Sequence, residues 1–186
     1  MTIRKATVLG AGTMGSQIAA LLVNAGLKVK LLDIVIDEND PNKISRKAYE
    51  IITNPKRPQL FDLAFASNLS YGNFNEDLVE QDDADIYIEA VKEEVDIKHQ
   101  VWTKVKDVAK KEAIFATNTS GIPIESIANV FDTQDKERFF GMHFFHGMLS
   151  FHHKPPPGDH NLFFNSCRLE KFAYYFCGLS AVCQPF

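Results

Sequence analysis

Residues 3–33 constrain the fold of this chain more than any other stretch, because they read as a strand, a glycine turn, a helix and a second strand ending in an acid. Ala6-Thr7-Val8-Leu9 is a short apolar run of the kind a buried parallel strand uses. Gly10-Ala11-Gly12-Thr13-Met14-Gly15 follows at once. Ile18, Leu21, Leu22 and Ala25 then recur at helical spacing until Asn24-Ala25-Gly26 closes the helix. Leu27 to Leu32 supplies a second strand, with Asp33 at its carboxyl end.

Each part of this unit suits a dinucleotide. Gly10 permits the tight turn, Gly12 lets the backbone approach a pyrophosphate, and Gly15 with Ala19 lets helix and strand pack closely. The helix N-terminus offers unpaired N–H groups to phosphates. Asp33 can accept both ribose hydroxyls of an adenosine, while its charge repels a 2′-phosphate, which favours NAD over NADP. FAD uses the same unit and stays open as an alternative, as does a glycine turn that serves helix packing alone.

A chain of 186 residues can build one domain with a real core, or one domain with an appendage. A net charge of −4 gives no electrostatic case for nucleic acid or an anionic membrane. No apolar run approaches the roughly 20 residues that span a bilayer, and no leader peptide is visible at the start. A cytoplasmic location is the expectation. Cys167, Cys177 and Cys183 form an odd set and do not argue for a disulfide framework.

Further along, 34–42 is a polar loop, and Ile44, Ala48, Ile51 and Ile52 make a helical stripe that Asn54-Pro55 stops. A second helix is expected over 59–66 and a strand over 69–71. Lys43, Arg46, Lys47, Lys56 and Arg57 cluster here, either as a solvated face or as partners for the phosphates of a large substrate handle. A short helix over 76–81 precedes a buried strand over 84–91, which carries Glu89-Ala90-Val91-Lys92-Glu93 at its carboxyl end, the edge where doubly wound sheets collect ligands. An amphipathic helix over 93–111 follows, with Val95, Trp102, Val105 and Val108 or Ala109 facing inward. Glu93 and Lys98 are either ligand-facing or a charged first turn with a surface pair. The strand 113–116 runs into Thr117-Asn118-Thr119-Ser120-Gly121, a cleft lining or an ordinary cap for the helix near 124–128. The strand 138–145 holds His143 between aromatics, where a histidine is often a packed core residue.

The motifs GAGTMG, EAVKE, ATNTSGIP and GMHFF, in order over residues 3–145, resemble the NAD-binding domain of the L-3-hydroxyacyl-CoA dehydrogenase family. The resemblance implies an α/β, Rossmann-type, doubly wound, mainly parallel sheet. It also implies oxidation of the 3-hydroxyl of a fatty acyl-CoA to a ketone in β-oxidation, with hydride passing to NAD. By matching residues, Gly10, Gly12, Gly15 and Asp33 would bind NAD, Glu93 and Lys98 would line the cofactor cleft, and Asn118 would belong to the same cofactor site. Ser120 would contact the substrate hydroxyl, and His143 would be the general base.

The resemblance stops after residue 145. Family members continue with Asn-Pro and later bring a glutamate to the histidine; here the chain reads His146-Gly147-Met148-Leu149, with Pro155 where that glutamate would fall. No segment matches the family's helical C-terminal domain, so a family-type homodimer is not expected. Residues 146–186 hold four of the six histidines, all three cysteines and half the prolines. They read as an atypical tail, disordered or translated in a shifted frame, set apart from the domain at 1–145. The spacing of His152, His153, His160 and Cys167 matches no structural zinc pattern, and no metal is expected. The functional expectation is therefore an impaired dehydrogenase; the alternatives are a non-enzymatic NAD-binding or interaction module, or an inactive fragment.

Overall fold

A computed structural model describes residues 2–144 and 182–184, with His143 and 182–184 described by their backbone alone. Strands β1 (Lys5–Leu9), β2 (Lys28–Asp33), β3 (Leu69–Asn73), β4 (Ile86–Glu89), β5 (Ile114–Thr117) and β6 (Phe139–His143) run parallel in the order β3-β2-β1-β4-β5-β6. Chain order reverses between β1 and β4, which makes that junction the switch point of a doubly wound sheet. The backbone of β7 (Val182–Gln184) adds an antiparallel edge beside β6, with His143 opposite Val182. Apart from those three residues the tail lies outside the described part of the chain.

Side chains alternate between two cores along every central strand, because successive residues of a strand point to opposite faces. Val8, Leu31, Ile86, Ile88, Ile114 and Ala116 face helices α1 (Thr13–Asn24) and α2 (Lys43–Ile52). Leu9, Leu32, Tyr87, Phe115 and Phe139 face the other way, toward α3 (Val95–Val108). There Trp102 is fully buried, edge-on to Phe115 and Phe139 and tilted against Phe131. Both faces of the sheet are thus covered, which explains why β4 and β5 are short, wholly buried runs rather than alternating ones. Two short helices, α4 (Ile124–Ile127) and α5 (Thr133–Lys136), lead into β6.

α1 ends as its sequence implies. Gly26 has φ +88°, its N–H donates to Val23 at 2.9 Å, and the Leu27 N–H reaches back to Leu22 at 3.1 Å, the paired bonds of a Schellman cap. Elsewhere the element readings need correction. The helix expected over 59–66 is a 3-10 helix at Leu63–Asn68, capped by the Asp62 side chain. The short helix expected over 76–81 is likewise a 3-10 turn, Leu78–Gln81. Ile51 is 47% exposed, so α2 buries Ser45, Ala48 and Ile52 instead of the full stripe. In α3 the inward positions are Lys98, Val101, Trp102 and Val105, with Val95 only partly buried. Lys43 pairs with Asp37 at 3.0 Å, and Arg46 with Asp40 and Glu50, so part of the basic cluster is a mutually neutralised surface face.

Asp85 fastens the amino edge of the sheet at the junction of β1 and β4. Its carboxylate accepts the Arg4 and Lys5 N–H groups at 2.7 and 3.0 Å and the Lys110 ammonium at 2.5 Å. Burial pushes its pKa up, but the hydrogen bonds from Lys110, Arg4 and Lys5 outweigh that and hold it below its ordinary value of 3.8. A depressed carboxyl contributes stability that is present above that ordinary value and is lost as pH falls through the folded pKa. Asp85→Ala is expected to cost about 2 kcal/mol at neutral pH, in urea melts, and the difference from wild type should shrink in acid. An undiminished difference at the lowest pH at which the chain stays folded would refute the clamp.

Candidate functional site

The carboxyl ends of β1, β2, β4, β5 and β6 form one edge, and the sequence motifs collect there. Between β1 and α1 the chain turns through Gly10 at φ +104°. A Cβ on Gly10 would sit 2.7 Å from the Ala90 carbonyl oxygen, just beyond β4, so the turn needs glycine for its conformation and for its contact. A Cβ on Gly15 would overlap the Gly10 carbonyl, which lets α1 start directly under the turn. Gly12 differs, since a Cβ there would meet nothing within 4 Å. Its backbone borders open space at the start of a twelve-residue helix that has no side-chain cap and no acid in its first turn.

Asp33 closes this turn from the neighbouring strand. One carboxylate oxygen accepts the Ala11 N–H at 2.6 Å and the other accepts the Ile34 N–H at 2.7 Å. Burial raises its pKa, and the two N–H bonds offset part of that rise. A carboxylate offers about four acceptor positions, so two remain for a pair of hydroxyls. The donor set therefore fits an adenosine diphosphate moiety: open backbone N–H groups at Gly12 and α1 for phosphates, and an oriented acid at the end of β2 for a ribose. Beside it, Asn73 is fully buried and ties the 34–42 loop to the turn after β3, through Asn42 at 2.8 Å and Glu76 at 3.1 Å.

On the other side of the switch point lies a charged network. Glu89, the last residue of β4, is fully buried. Its Oε1 accepts the Lys98 ammonium at 2.7 Å and the Val91 N–H at 2.8 Å, and its Oε2 accepts the Thr117 hydroxyl at 2.6 Å. Lys98 is 1% exposed and also lies 3.2 Å from Glu93 Oε2. Glu93 Oε1 in turn accepts the Thr119 hydroxyl and the N–H groups of Ser120 and Gly121, at 3.0 and 2.9 Å. The reading of Glu93 and Lys98 as a surface pair therefore fails for Lys98, which is buried, while the Glu93 side chain remains 42% exposed. Lys98 occupies an inward position of α3, where only a paired ammonium is tolerated.

Partial burial pushes the Glu93 carboxyl up, yet the Thr119 hydroxyl, the Gly121 and Ser120 N–H groups and the Lys98 charge overcome it and lower it to about 2. The sign follows directly: the carboxylate's hold on the 119–121 loop is complete above its ordinary value of 4.5 and is lost as pH falls toward 2. Amide NMR shifts of Ser120 and Gly121 should therefore titrate with a midpoint near 2. A midpoint near 4.5 would show that the contact does not persist in solution.

Asn118 and His143 complete the edge. The Asn118 side-chain oxygen accepts the Phe144 N–H at 2.8 Å, and its own N–H donates to the Glu89 carbonyl at 2.7 Å. It thus ties the end of β5 to the residue after His143, which is the last residue of β6. Ser120 is exposed on the loop between β5 and α4. The sequence places Glu89, Thr117 and Thr119 at strand ends that suit a cleft, but gives none of the three a role of its own. A signal was present, because Glu89 ends an otherwise apolar strand and Lys98 lies three and four residues before Val101 and Trp102 on the same helical face. Among the described residues no group of three or more His, Cys, Asp or Glu side chains could hold a metal, and no helix is long and apolar enough to cross a membrane.

Comparison with known proteins matches this geometry to a family. Residues 5–149 fit the family model described as "3-hydroxyacyl-CoA dehydrogenase, NAD binding domain". A probable 3-hydroxyacyl-CoA dehydrogenase of Deinococcus radiodurans is 41% identical over 146 residues, covering 78% of this chain and 42% of that protein. The mitochondrial hydroxyacyl-coenzyme A dehydrogenase of Sus scrofa is 31% identical over 152 residues, covering 77% and 46%. The crystal structure of 3-hydroxybutyryl-CoA dehydrogenase from Escherichia coli superimposes with a TM-score of 0.65 at 27% identity, covering 78% of this chain and 30% of that one. The chain thus spans less than half the length of these relatives. With a glycine turn and acid suited to NAD at the switch point, and a family match over the whole described sheet core, the chain belongs to the 3-hydroxyacyl-CoA dehydrogenase family through its NAD-binding domain.

Proposed function

We propose that this chain is the cofactor-binding part of an enzyme that oxidises the 3-hydroxyl of a fatty acyl-CoA to a 3-ketoacyl-CoA, a step of β-oxidation. The observation that carries the reading is the meeting, at one sheet edge, of the glycine turn with Asp33, the Glu93–Lys98 pair and the loop 118–121. Bound NAD would supply the hydride acceptor. Gly10, Gly12, Gly15 and Asp33 would hold its adenosine and pyrophosphate end, with Glu93, Lys98 and Asn118 along the rest of the cleft. Ser120 would contact the substrate hydroxyl, and His143 would take its proton, since imidazole titrates near neutrality and moves protons in either direction. The Asn118 bond to the Phe144 N–H supports that pairing, because it ties the backbone beside His143 to the strand end that leads to Ser120.

Turnover in this chain is expected to be low. Pro155 stands where the family places the glutamate that orients the histidine, and loss of the equivalent carboxylate lowered kcat by about 10⁴ in a serine protease. This departure favours a second reading, an NAD-binding module without dehydrogenase activity. Acetoacetyl-CoA reduction, followed by NADH consumption, separates the two. A slow rate that His143→Ala abolishes while NADH still binds would support the enzyme. A rate unaffected by His143→Ala would refute the base assignment, and NADH binding with no turnover would favour the module.

A further inference from the structure

Glu89 lies outside the residues that the family motif assigns to cofactor or substrate, yet the charged network converges on it. We infer that Glu89 is a positioning residue, which holds the Ser120 loop in place through Lys98 and Glu93 and sets the wall of the cleft through Val91. The inference rests on the reading of this cleft as the NAD site.

The geometry gives Glu89 two arms. One arm is the Val91 N–H, bonded at 2.8 Å, which fixes the chain just past the Ala90 carbonyl that Gly10 packs against. The other runs through Lys98 at 2.7 Å to Glu93 and on to the Ser120 and Gly121 N–H groups. The Thr117 hydroxyl, at 2.6 Å, occupies the remaining oxygen and fixes the carboxylate's orientation.

Burial decides which link is essential. The Glu93 side chain is 42% exposed and 3.2 Å from Lys98, whereas Glu89 is fully buried and 2.7 Å away. An exposed partner is screened by water, so Glu93 alone is a weak counterion for a buried ammonium. Without Glu89, Glu93 is the remaining charged partner of the buried Lys98 ammonium, which draws it inward and weakens its bonds to the Ser120 and Gly121 N–H groups.

The test compares the full wild-type chain with Glu89→Gln and with the isosteric Thr117→Val, using residue-level amide hydrogen exchange and NADH titration by fluorescence. Glu89→Gln should raise exchange at Ser120 and Gly121 by about tenfold or more while Val8 and Leu31 keep their rates, because local opening is separable from global unfolding. NADH affinity should fall about tenfold with it, as one charge-assisted contact would predict. Thr117→Val should shift the same amides by less. Unchanged exchange at Ser120 and Gly121 would overturn the inference. So would exchange raised evenly across the sheet, with affinity lost only in proportion to unfolded chain. If Glu89→Gln does not fold, Thr117→Val decides alone by the same loop-specific criterion. Failure of the wild type to bind NADH would refute the NAD reading, while the exchange pattern would still decide for or against Glu89.

Discussion

Asp33→Ala is expected to weaken NADH binding by at least about 100-fold, measured by fluorescence titration of the purified chain. Each hydrogen bond to a charged group contributes about 1.5–3 kcal/mol, and Asp33 has two acceptor positions to offer ribose hydroxyls, so the loss corresponds to at least about 3 kcal/mol. The substitution also frees the Ala11 N–H that Asp33 holds at 2.6 Å, which loosens the turn beside the phosphates. Fold stability should change much less. The Asp33 pKa is raised by burial, and a raised carboxyl contributes stability that is present below 3.8 and is lost as pH rises through the folded value. At neutral pH the buried charge is therefore a cost to folding, which offsets the two N–H bonds that Asp33→Ala removes. A melting temperature within a few degrees of wild type is expected, about the effect of 1 kcal/mol in a chain of this size. Saturable binding in the wild type with unchanged affinity in Asp33→Ala would remove Asp33 from the cofactor site.

The glycine turn gives the second large effect, and the three glycines should separate cleanly. Gly10→Ala forces a side chain into φ +104° and sets a Cβ 2.7 Å from the Ala90 carbonyl oxygen. Backbone strain and overpacking each cost about 1–3 kcal/mol, so a loss of roughly 2–6 kcal/mol is expected. That is equivalent to a fall of about 5–20 °C in Tm. Gly15→Ala should also destabilise, since its Cβ would overlap the Gly10 carbonyl. Gly12→Ala faces open space and should leave Tm within about 2 °C of wild type, because a surface change away from packing is nearly neutral. It should nonetheless reduce NADH binding strongly, since the added methyl occupies the space a pyrophosphate would need. Equal stability losses at Gly10 and Gly12 would contradict the packing seen here. Intact NADH affinity in Gly12→Ala would place the phosphates elsewhere.

Much of the molecule was readable before any coordinates. The first β-α-β unit, its glycine cap at Gly26 and the acid at the end of β2 followed from local chemistry, because left-handed turns, helix caps and short buried strands each demand particular residues nearby in sequence. The short elements 59–66 and 76–81 were less legible. Their apolar residues suggest a helix, but each segment is packed over too short a span to complete more than a 3-10 turn, and Asp62 begins the first of them at Leu63. Ile51 shows the same limit, since an apolar residue in a helical stripe says nothing of whether a neighbour covers it.

The site divides along the same line. Motif residues of this family, from Gly10 to His143, stand in the sequence in order, and their placement at strand ends follows once the sheet is parallel. The pairing among them does not. Lys98 and Thr117 lie 9 and 28 residues from Glu89, and nothing local to any of the three names its partners. Sequence by itself determined the strand-turn-helix-strand unit and its acid, because those contacts are local. Only the tertiary structure decided that a buried carboxylate at the end of β4 would gather an ammonium from α3 and a hydroxyl from β5, because burial, which makes such charges find partners, is created by the whole sheet and its two covering layers.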